Sequence, residues 1–594
     1  MNNCTRFLTL LLVLLSLSAC RTEPEEEVPA VEFKRTENVV TVRLPAEPAK
    51  LNPLLYRSGY ESQVFEHIFQ YLMDFSYEET SELVPILVTG RPRQSPITEG
   101  PNAGGTRYEF ELRPEARWDN GEPVTARDVE FTMKAIFNPT MPTQRIRAFL
   151  EFFRGMELDP ENPRKFTFVT GNPYVLAEEV LSNLVIIPSY IYDPKNILEN
   201  YSLDQFLGAE AERLKENDAA LQEFTDEFNK PEYSREKLVG SGAYRLKEWQ
   251  AGQRIVLERK ENWWAADLSG GQFRDGPEEL VFLPIADNAA MNASLLDEGF
   301  DVSSQVDSRT FLDLQENESV AARYNFLTSP TYQTYFMAIN TDSPKLTDRR
   351  VRRAIAHTID IDEVIDKLFF GFAEPSHGLI DSKRSYYNKD LPIIRQDFTR
   401  AKELLAEAGW TDSNGNGTVD KVIDGELTEL ELTYGTSTGS NYGNKFARYL
   451  QQEAAKAGIS VTPAPQDARQ LSKSVVSKEY ELAGRALNWY PFPHDLRQVL
   501  HSEADVVGGY NYMGFGNEES DRILEDIQKT TDRAELDRLY KQLQKMMYDE
   551  TIMAAVFNPQ NRVVIHKRFD ARAVPKSPGY NPAQFEMRKV FSDD

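Results

Sequence analysis

The sequence predicts a mixed α/β protein of several domains. Three observations predict it. Runs with strand-type alternation and runs with helical spacing are interleaved along the chain without a regular order. No internal repeat is present, and about 555 residues follow the N-terminal leader, enough by length for two to four domains.

The leader comes first. Residues 7–17 form an apolar run of about eleven residues behind a start whose only charged side chain is Arg6, a signal-peptide pattern too short for a bilayer span of about 20 residues. Leu17-Ser18-Ala19-Cys20 closes it, and a small-residue pair before cysteine is the processing site of a bacterial lipoprotein precursor. Residues 1–19 are therefore expected to leave as a signal peptide and Cys20 to carry lipid. Residues 20–35 are charged and broken by proline, the composition of a flexible tether. Cys4 leaves with the signal, so the mature chain has no partner for an internal disulfide. The formal charge of −26 becomes −27 when Arg6 is lost. Such a surface repels phosphate backbones and anionic headgroups; nucleic acid is excluded as a partner, and the membrane is expected to hold the protein through Cys20.

The elements follow in order. Residues 39–44 read as a strand, and 60–73 have helical spacing through Val64, Ile68 and Leu72. Residues 107–113 alternate Tyr108, Phe110 and Leu112 on one face, and Trp118-Asp119-Asn120-Gly121 is a turn signal. Residues 125–137 read as a helix with Val129 and Met133 inward. Residues 203–228 place Leu203, Phe206, Leu207, Leu214, Leu221, Phe224 and Phe228 on an acidic amphipathic helix or helix pair. Residues 243–249 and 254–259 flank Ala251-Gly252 as a hairpin. Asp348 caps a helix whose Val351, Ala354, Ile355 and Ile359 share a face, with Arg349, Arg350, Arg352 and Arg353 as its solvated side. A further helix over 399–408 stops at Gly409.

This series of local patterns resembles one family, the peptide-type solute-binding proteins of bacterial ABC importers, solute-binding family 5. Leu51-Asn52-Pro53-Leu54 resembles its N-terminal signature. Phe110-Glu111-Leu112-Arg113, Trp118-Asp119-Asn120-Gly121 and Pro123-Val124-Thr125-Ala126-Arg127-Asp128-Val129 match its best-known stretch. Gly240-Ser241-Gly242-Ala243-Tyr244-Arg245-Leu246 with Ile255-Val256-Leu257-Glu258-Arg259 matches its central hairpin. Ala338-Ile339-Asn340, Asp348 with Arg350-Val351-Arg352-Arg353-Ala354, and Ala408-Gly409-Trp410 complete the order over about residues 40–560.

The resemblance implies a two-lobed periplasmic-binding-protein type II (Venus-flytrap) fold with an extra third domain. Lobe I would comprise residues 36–73, 236–305 and 555–594, the extra domain 74–235, and lobe II 306–554. It implies a binding protein, not an enzyme, that captures a small peptide between the lobes and delivers it to an ABC permease and its ATPase. The protein would be a monomer and a lipoprotein facing the periplasm or the extracellular side. The alternatives are the same fold with a non-peptide solute (an oligosaccharide, an opine-like compound or a chelated metal), or a lipoprotein acting as sensor or chaperone.

The resemblance also assigns ligand contacts. In peptide binders of the family an aromatic segment pairs its backbone with the ligand like an added strand. The matching stretch is 485–495, with Trp489 and Tyr490 as stacking faces and Asn488 to Tyr490 as backbone partners. Arg485 is a candidate fork for a carboxylate. Tyr60 and the pair Phe557 and Asn558 occupy cleft regions. Peptide binders carry an aspartate three residues after the tryptophan to pair the ligand amine, and here Phe492 stands there, so Asp495 or Asp467 would have to substitute.

Enzyme signatures are missing: there is no Gly-x-Ser-x-Gly, no His-Glu-x-x-His and no phosphate loop. No cofactor and no metal are expected. His494 and His501 lack metal-ligand spacing, and Asp412-Ser413-Asn414-Gly415-Asn416-Gly417 opens like a calcium loop but has Ile423 at the twelfth place.

Overall fold

One strand, Met553–His566, is shared by both halves of a 12-stranded sheet. Its sequence explains the division. Residues 553–557 and 563–565 are apolar and enter separate cores, whereas Asn558, Pro559, Gln560, Asn561 and Arg562 between them are mostly polar and include a proline with no N–H for a ladder. The first part pairs with Gln333–Ile339, Ala338 opposite Met553 and Tyr335 opposite Phe557, and with Ala373–Pro375. The second part pairs with Tyr324–Pro330 and Val302–Ser303. Because Tyr324–Pro330 continues through Thr331 and Tyr332 into Gln333–Ile339, the chain crosses between the halves twice, side by side, as a hinge requires.

The computed structural model describes residues 34–78, 82–489, 494–530 and 532–588. Glu37–Asp594 forms one compact unit. In the first half, Val39–Leu44 runs parallel to Glu279–Pro284, which pairs antiparallel with Arg254–Arg259, and the hairpin to Tyr244–Gln250 turns at Gly252 with φ +71°. Alternation sends Val40, Val42 and Leu44 into a large core. That core continues into residues 93–170, where Tyr108, Phe110, Phe166 and Phe168 project from one face of a four-stranded sheet. Helix Ala126–Phe137 closes over them, its start fixed by the reciprocal cap of Thr125 and Asp128.

In the second half the order is Ser460–Gln466, Glu431–Ser437, Leu482–Asn488, Gln333–Ile339. Alternation divides neighbouring residues between two cores. Met337 and Ile339 pack with helices Arg349–Ala356, Ile361–Phe369 and Asn441–Ala455, while Phe336 and Ala338 pack with Glu518–Lys529 and Arg533–Glu550. Among the described residues no helix is long and apolar enough to cross a membrane.

Several expectations are corrected. The helix expected over 60–73 is Gly59–Phe65; beyond it the Ile68 carbonyl accepts from Gly242 and the Leu72 N–H donates to Leu184, so tertiary backbone bonds replace the helical ones. Residues 203–228 form three helices, Leu203–Leu207, Glu210–Asn217 and Ala219–Phe228, because the Asp218 carboxylate caps the last of them. Ile359 is buried but lies past the end of Arg349–Ala356. Arg352 is not solvated: its guanidinium donates to the carbonyls of Leu346, Thr347 and Glu550 and pairs with the Glu550 carboxylate. A charged residue was needed there to gather carbonyls at a chain reversal, which spacing does not reveal.

The far end of the long strand is locked by a buried ion pair. Arg568 Nε and Nη2 donate to the two oxygens of Asp301 at 2.8 and 2.9 Å, and Arg568 Nη1 reaches the Glu37 carbonyl. Asp301 also accepts from the Thr41 N–H at 2.7 Å. Asp301→Asn leaves Arg568 buried without its counter-charge and is expected to cost about 3–5 kcal/mol of unfolding free energy in urea titrations.

His494 yields a pH prediction. It is 2% exposed, shares a 3.0 Å hydrogen bond with Tyr386 Oη, and its proton affinity is lowered to a pKa of about 3, first by burial and then by Arg384. The unfolded chain binds this proton below about pH 6.5 while the folded chain refuses it until about pH 3, so this contribution to stability is present above pH 6.5 and lost as pH falls. His494→Gln should therefore gain on the wild type by about 1.4 kcal/mol per pH unit between pH 6 and 4, read from urea midpoints.

Candidate functional site

The two crossings are fastened to each other and to the end of Leu482–Asn488. Thr331 Oγ1 donates to the Pro559 carbonyl at 2.7 Å, and Asn558 Nδ2 donates to the Gln333 carbonyl at 2.7 Å and to Thr334 Oγ1 at 3.0 Å. Trp489, the residue after that strand, donates its backbone N–H to the Tyr332 carbonyl at 2.7 Å and its indole N–H to Thr334 Oγ1 at 3.1 Å. Strand pairing explains the placement: Gln333 is opposite Asn488, so the chain leaves the strand level with the crossing. The half-buried Trp489 ring stands edge-on to His494 with centroids 4.6 Å apart. The Arg384 guanidinium lies 5.4 Å from the centroid of the Tyr332 ring.

The expected site residues are distributed unevenly around this junction. Trp489 and Asn488 are at it, and Asn488 is exposed. Of the backbone donors expected to pair with a ligand, that of Trp489 is already used by Tyr332. Phe557 turns away: it is fully buried, with ring centroids 4.7 Å from Phe369 and 5.5 Å from Tyr335, because neighbouring strand residues point to opposite faces. Asn558 is the residue that faces the crossing. Arg485 is half-buried with its guanidinium 5.2 Å from the centroid of Tyr512, and neither Arg485 Nε nor Tyr512 Oη has a hydrogen-bond partner among the described residues. Tyr60 is in the first half, where its hydroxyl donates to Gln305 Oε1 at 3.2 Å. Tyr490, Phe492 and Cys20 lie outside the described residues.

The Asp495 carboxylate is engaged through both oxygens, and Asp467 through one. Asp495 Oδ2 accepts from the Tyr174 hydroxyl at 2.9 Å and Gln528 Nε2 at 3.0 Å, and Oδ1 accepts from the Arg497 N–H. The Val175 N–H donates to the Gln528 carbonyl at 2.8 Å beside it, so residues 174–175 are fastened to the second half at this point. Asp467 caps helix Ala468–Val476 through the Arg469 N–H. Burial and the Asp495 charge together raise the Tyr174 hydroxyl well above its ordinary pKa.

The loop that opens like a calcium site closes on itself. Asp412 accepts from the N–H groups of Gly415, Asn416 and Gly417. No group of three or more His, Cys, Asp or Glu side chains is placed to hold a metal ion among the described residues. Sequence reasoning passed over Tyr332, Thr334 and Arg384. The available signal was the polar run around Pro559 inside an otherwise apolar strand, which marks where a strand leaves its core.

Comparison with known proteins bears on this geometry. The family model for bacterial extracellular solute-binding proteins, family 5 Middle, matches residues 83–505. The oligopeptide-binding protein AppA of Bacillus subtilis (strain 168) is 24% identical over 497 residues, 82% of this chain and 82% of its own. The structure of AppA from Bacillus subtilis in complex with a nonapeptide is similar with a TM-score of 0.63 and 20% identity, covering 93% of this chain and 99% of that one. NikA from Brucella suis in complex with Fe(III)-EDTA is similar with a TM-score of 0.72 and 18% identity, covering 93% and 100%. The fold is therefore the two-lobed type II periplasmic-binding-protein fold with an extra third domain. With the match spanning well over half of its length, this chain belongs to the bacterial extracellular solute-binding proteins of family 5.

Proposed function

We propose that the protein is the solute-binding component of an ABC importer and captures a small peptide between its lobes for delivery to a permease. One observation carries this reading: the strand end at Trp489 is pinned to the point where the chain crosses between the halves, so an aromatic face stands where lobe closure acts. AppA, an oligopeptide-binding protein, supports the peptide class. Closure would be stabilised by the solute's higher affinity for the closed state, with no chemical step. We place the change of lobe at Thr331–Tyr332 and at Asn558, since Tyr324–Pro330 pairs with the later part of the long strand and Phe311 and Val320 share a core with Val564. Residues 74–235 form the extra domain. Residues 1–19 act as signal peptide, and lipid on Cys20 with the tether 20–35 holds a monomer at the outer face of a membrane.

The second reading keeps the fold and exchanges the peptide for an oligosaccharide, an opine-like compound or a chelated metal. It is favoured by the state of Asp495, whose oxygens are spent on Tyr174, Gln528 and Arg497. A buried ammonium without a carboxylate costs several kcal/mol, so a peptide bound here is recognised without a strong amine pocket.

Mass spectrometry of solute co-purified with the protein tests the solute class, and peptide is the expected content. Calorimetry on one such peptide should show that acetylating its N-terminus changes affinity by less than about threefold, under about 0.7 kcal/mol. A loss of several kcal/mol would show that an aspartate does serve the amine. Trp489→Ala should weaken free and acetylated forms alike, by roughly 1–3 kcal/mol.

A further inference from the structure

The carboxyl ends of three parallel strands in the first half face the crossing. Val39–Leu44 is parallel to Glu279–Pro284 and to Val302–Ser303. Ser303 lies opposite Val564, and the Val306 carbonyl accepts from Arg562 Nε at 2.7 Å, so these ends are level with the entry of the long strand. In open α/β sheets this edge is where the connecting loops leave room for a ligand.

Arg43 is the penultimate residue of Val39–Leu44 and is only 3% exposed. Its Nε donates to the Ile285 carbonyl at 2.8 Å, which leaves the terminal nitrogens of the fork to be accounted for. Its electrostatic neighbours among the described residues are the hydroxyls of Tyr60 and Tyr580. Tyr580 is 1% exposed, and its Oη, close to Ser304, has no well-formed hydrogen bond among the described residues. Tyr60 is tied to Gln305, which holds a left-handed φ of +60° just after Val302–Ser303, a strained conformation for a residue with a side chain. The terminal nitrogens of Arg43 are not among the fully buried atoms without a partner, so the fork keeps an open side, whereas the Asp301–Arg568 pair shows how this chain matches a guanidinium where the pairing is internal.

We propose that Arg43, with the hydroxyls of Tyr60 and Tyr580, forms an anion subsite of the solute cleft that takes a carboxylate of the bound solute. The subsite rests on the reading of this cleft as a solute site and adds the polarity of recognition. The solute's acid end is held by the first lobe through a forked, charge-assisted pair. Its other end meets Trp489 of the second lobe, where the Asp495 carboxylate is already spent.

The test uses purified protein and two equimolar pools of tri- to pentapeptides of randomised sequence, one with free C-terminal carboxylates and one amidated. Retained peptides are counted by mass spectrometry. Wild type is expected to enrich the acids by at least about tenfold, Arg43→Gln to show no preference, and Tyr580→Phe to lose at least about threefold of the enrichment. Equal retention of acids and amides by wild type, or an unchanged preference in Arg43→Gln, overturns the proposal. Solute-free Arg43→Gln should melt within about 10 °C of the wild type, because the fold loses only the hydrogen bond to the Ile285 carbonyl; a larger fall assigns Arg43 to the fold and also overturns the proposal. If neither pool is retained, the peptide reading fails and the subsite is read separately with succinate. Sodium succinate, compared with sodium chloride at equal ionic strength, should then raise the wild-type melting temperature by about 2 °C or more and leave Arg43→Gln unmoved. The absence of that rise in wild type overturns the subsite.

Discussion

The continuity of Met553–His566 through two cores is the constraint on which the remainder of the structure depends. A strand shared by both halves of one sheet cannot rotate within either half, so any hinge between them would be confined to the few residues that enter neither core. In this chain those residues are Asn558 to Asn561 and, on the parallel track, Thr331 and Tyr332. Their side chains bind across: Thr331 to Pro559, and Asn558 to Gln333 and Thr334. The two crossings are therefore tied to each other as one unit.

Trp489 joins the hinge to the second half. Its two donors are spent on Tyr332 and Thr334, which fixes the orientation of the ring and brings its edge onto His494. His494 is in turn held by Tyr386 and Tyr540 within the core of that half. A neutral imidazole suits this place, since a charged one would stand buried near Arg384. The ring that would meet a solute is thereby supported by packed aromatic side chains instead of a mobile surface.

Charge is distributed against the average. The chain carries a formal charge of −26, yet Arg43, Arg384, Arg485 and Arg562 gather around the crossing and the strand ends beside it. Asp307 is the acidic neighbour of Arg562, while Asp495 is bound by Tyr174 and Gln528 and Asp301 by Arg568.

The sequence by itself determined the local elements and the family order. Val39–Leu44, Arg254–Arg259, helix Ala126–Phe137 with its Thr125 cap, and the stop at Gly409 with φ +84° follow from periodicity and capping chemistry, which act over a few residues. Trp489 was legible as a candidate because a motif places it, and Phe557 was legible only as a position in the chain. Tertiary structure decided what each faces: Phe557 turns into an aromatic core while Asn558 meets the crossing, a difference of one residue that strand pairing alone sets. It also decided that Asp495 serves Tyr174, more than 300 residues away, and that Arg43 donates to the Ile285 carbonyl beside Tyr60 and Tyr580. Such pairings depend on which distant segments share a sheet edge, and no window of neighbouring residues contains that information.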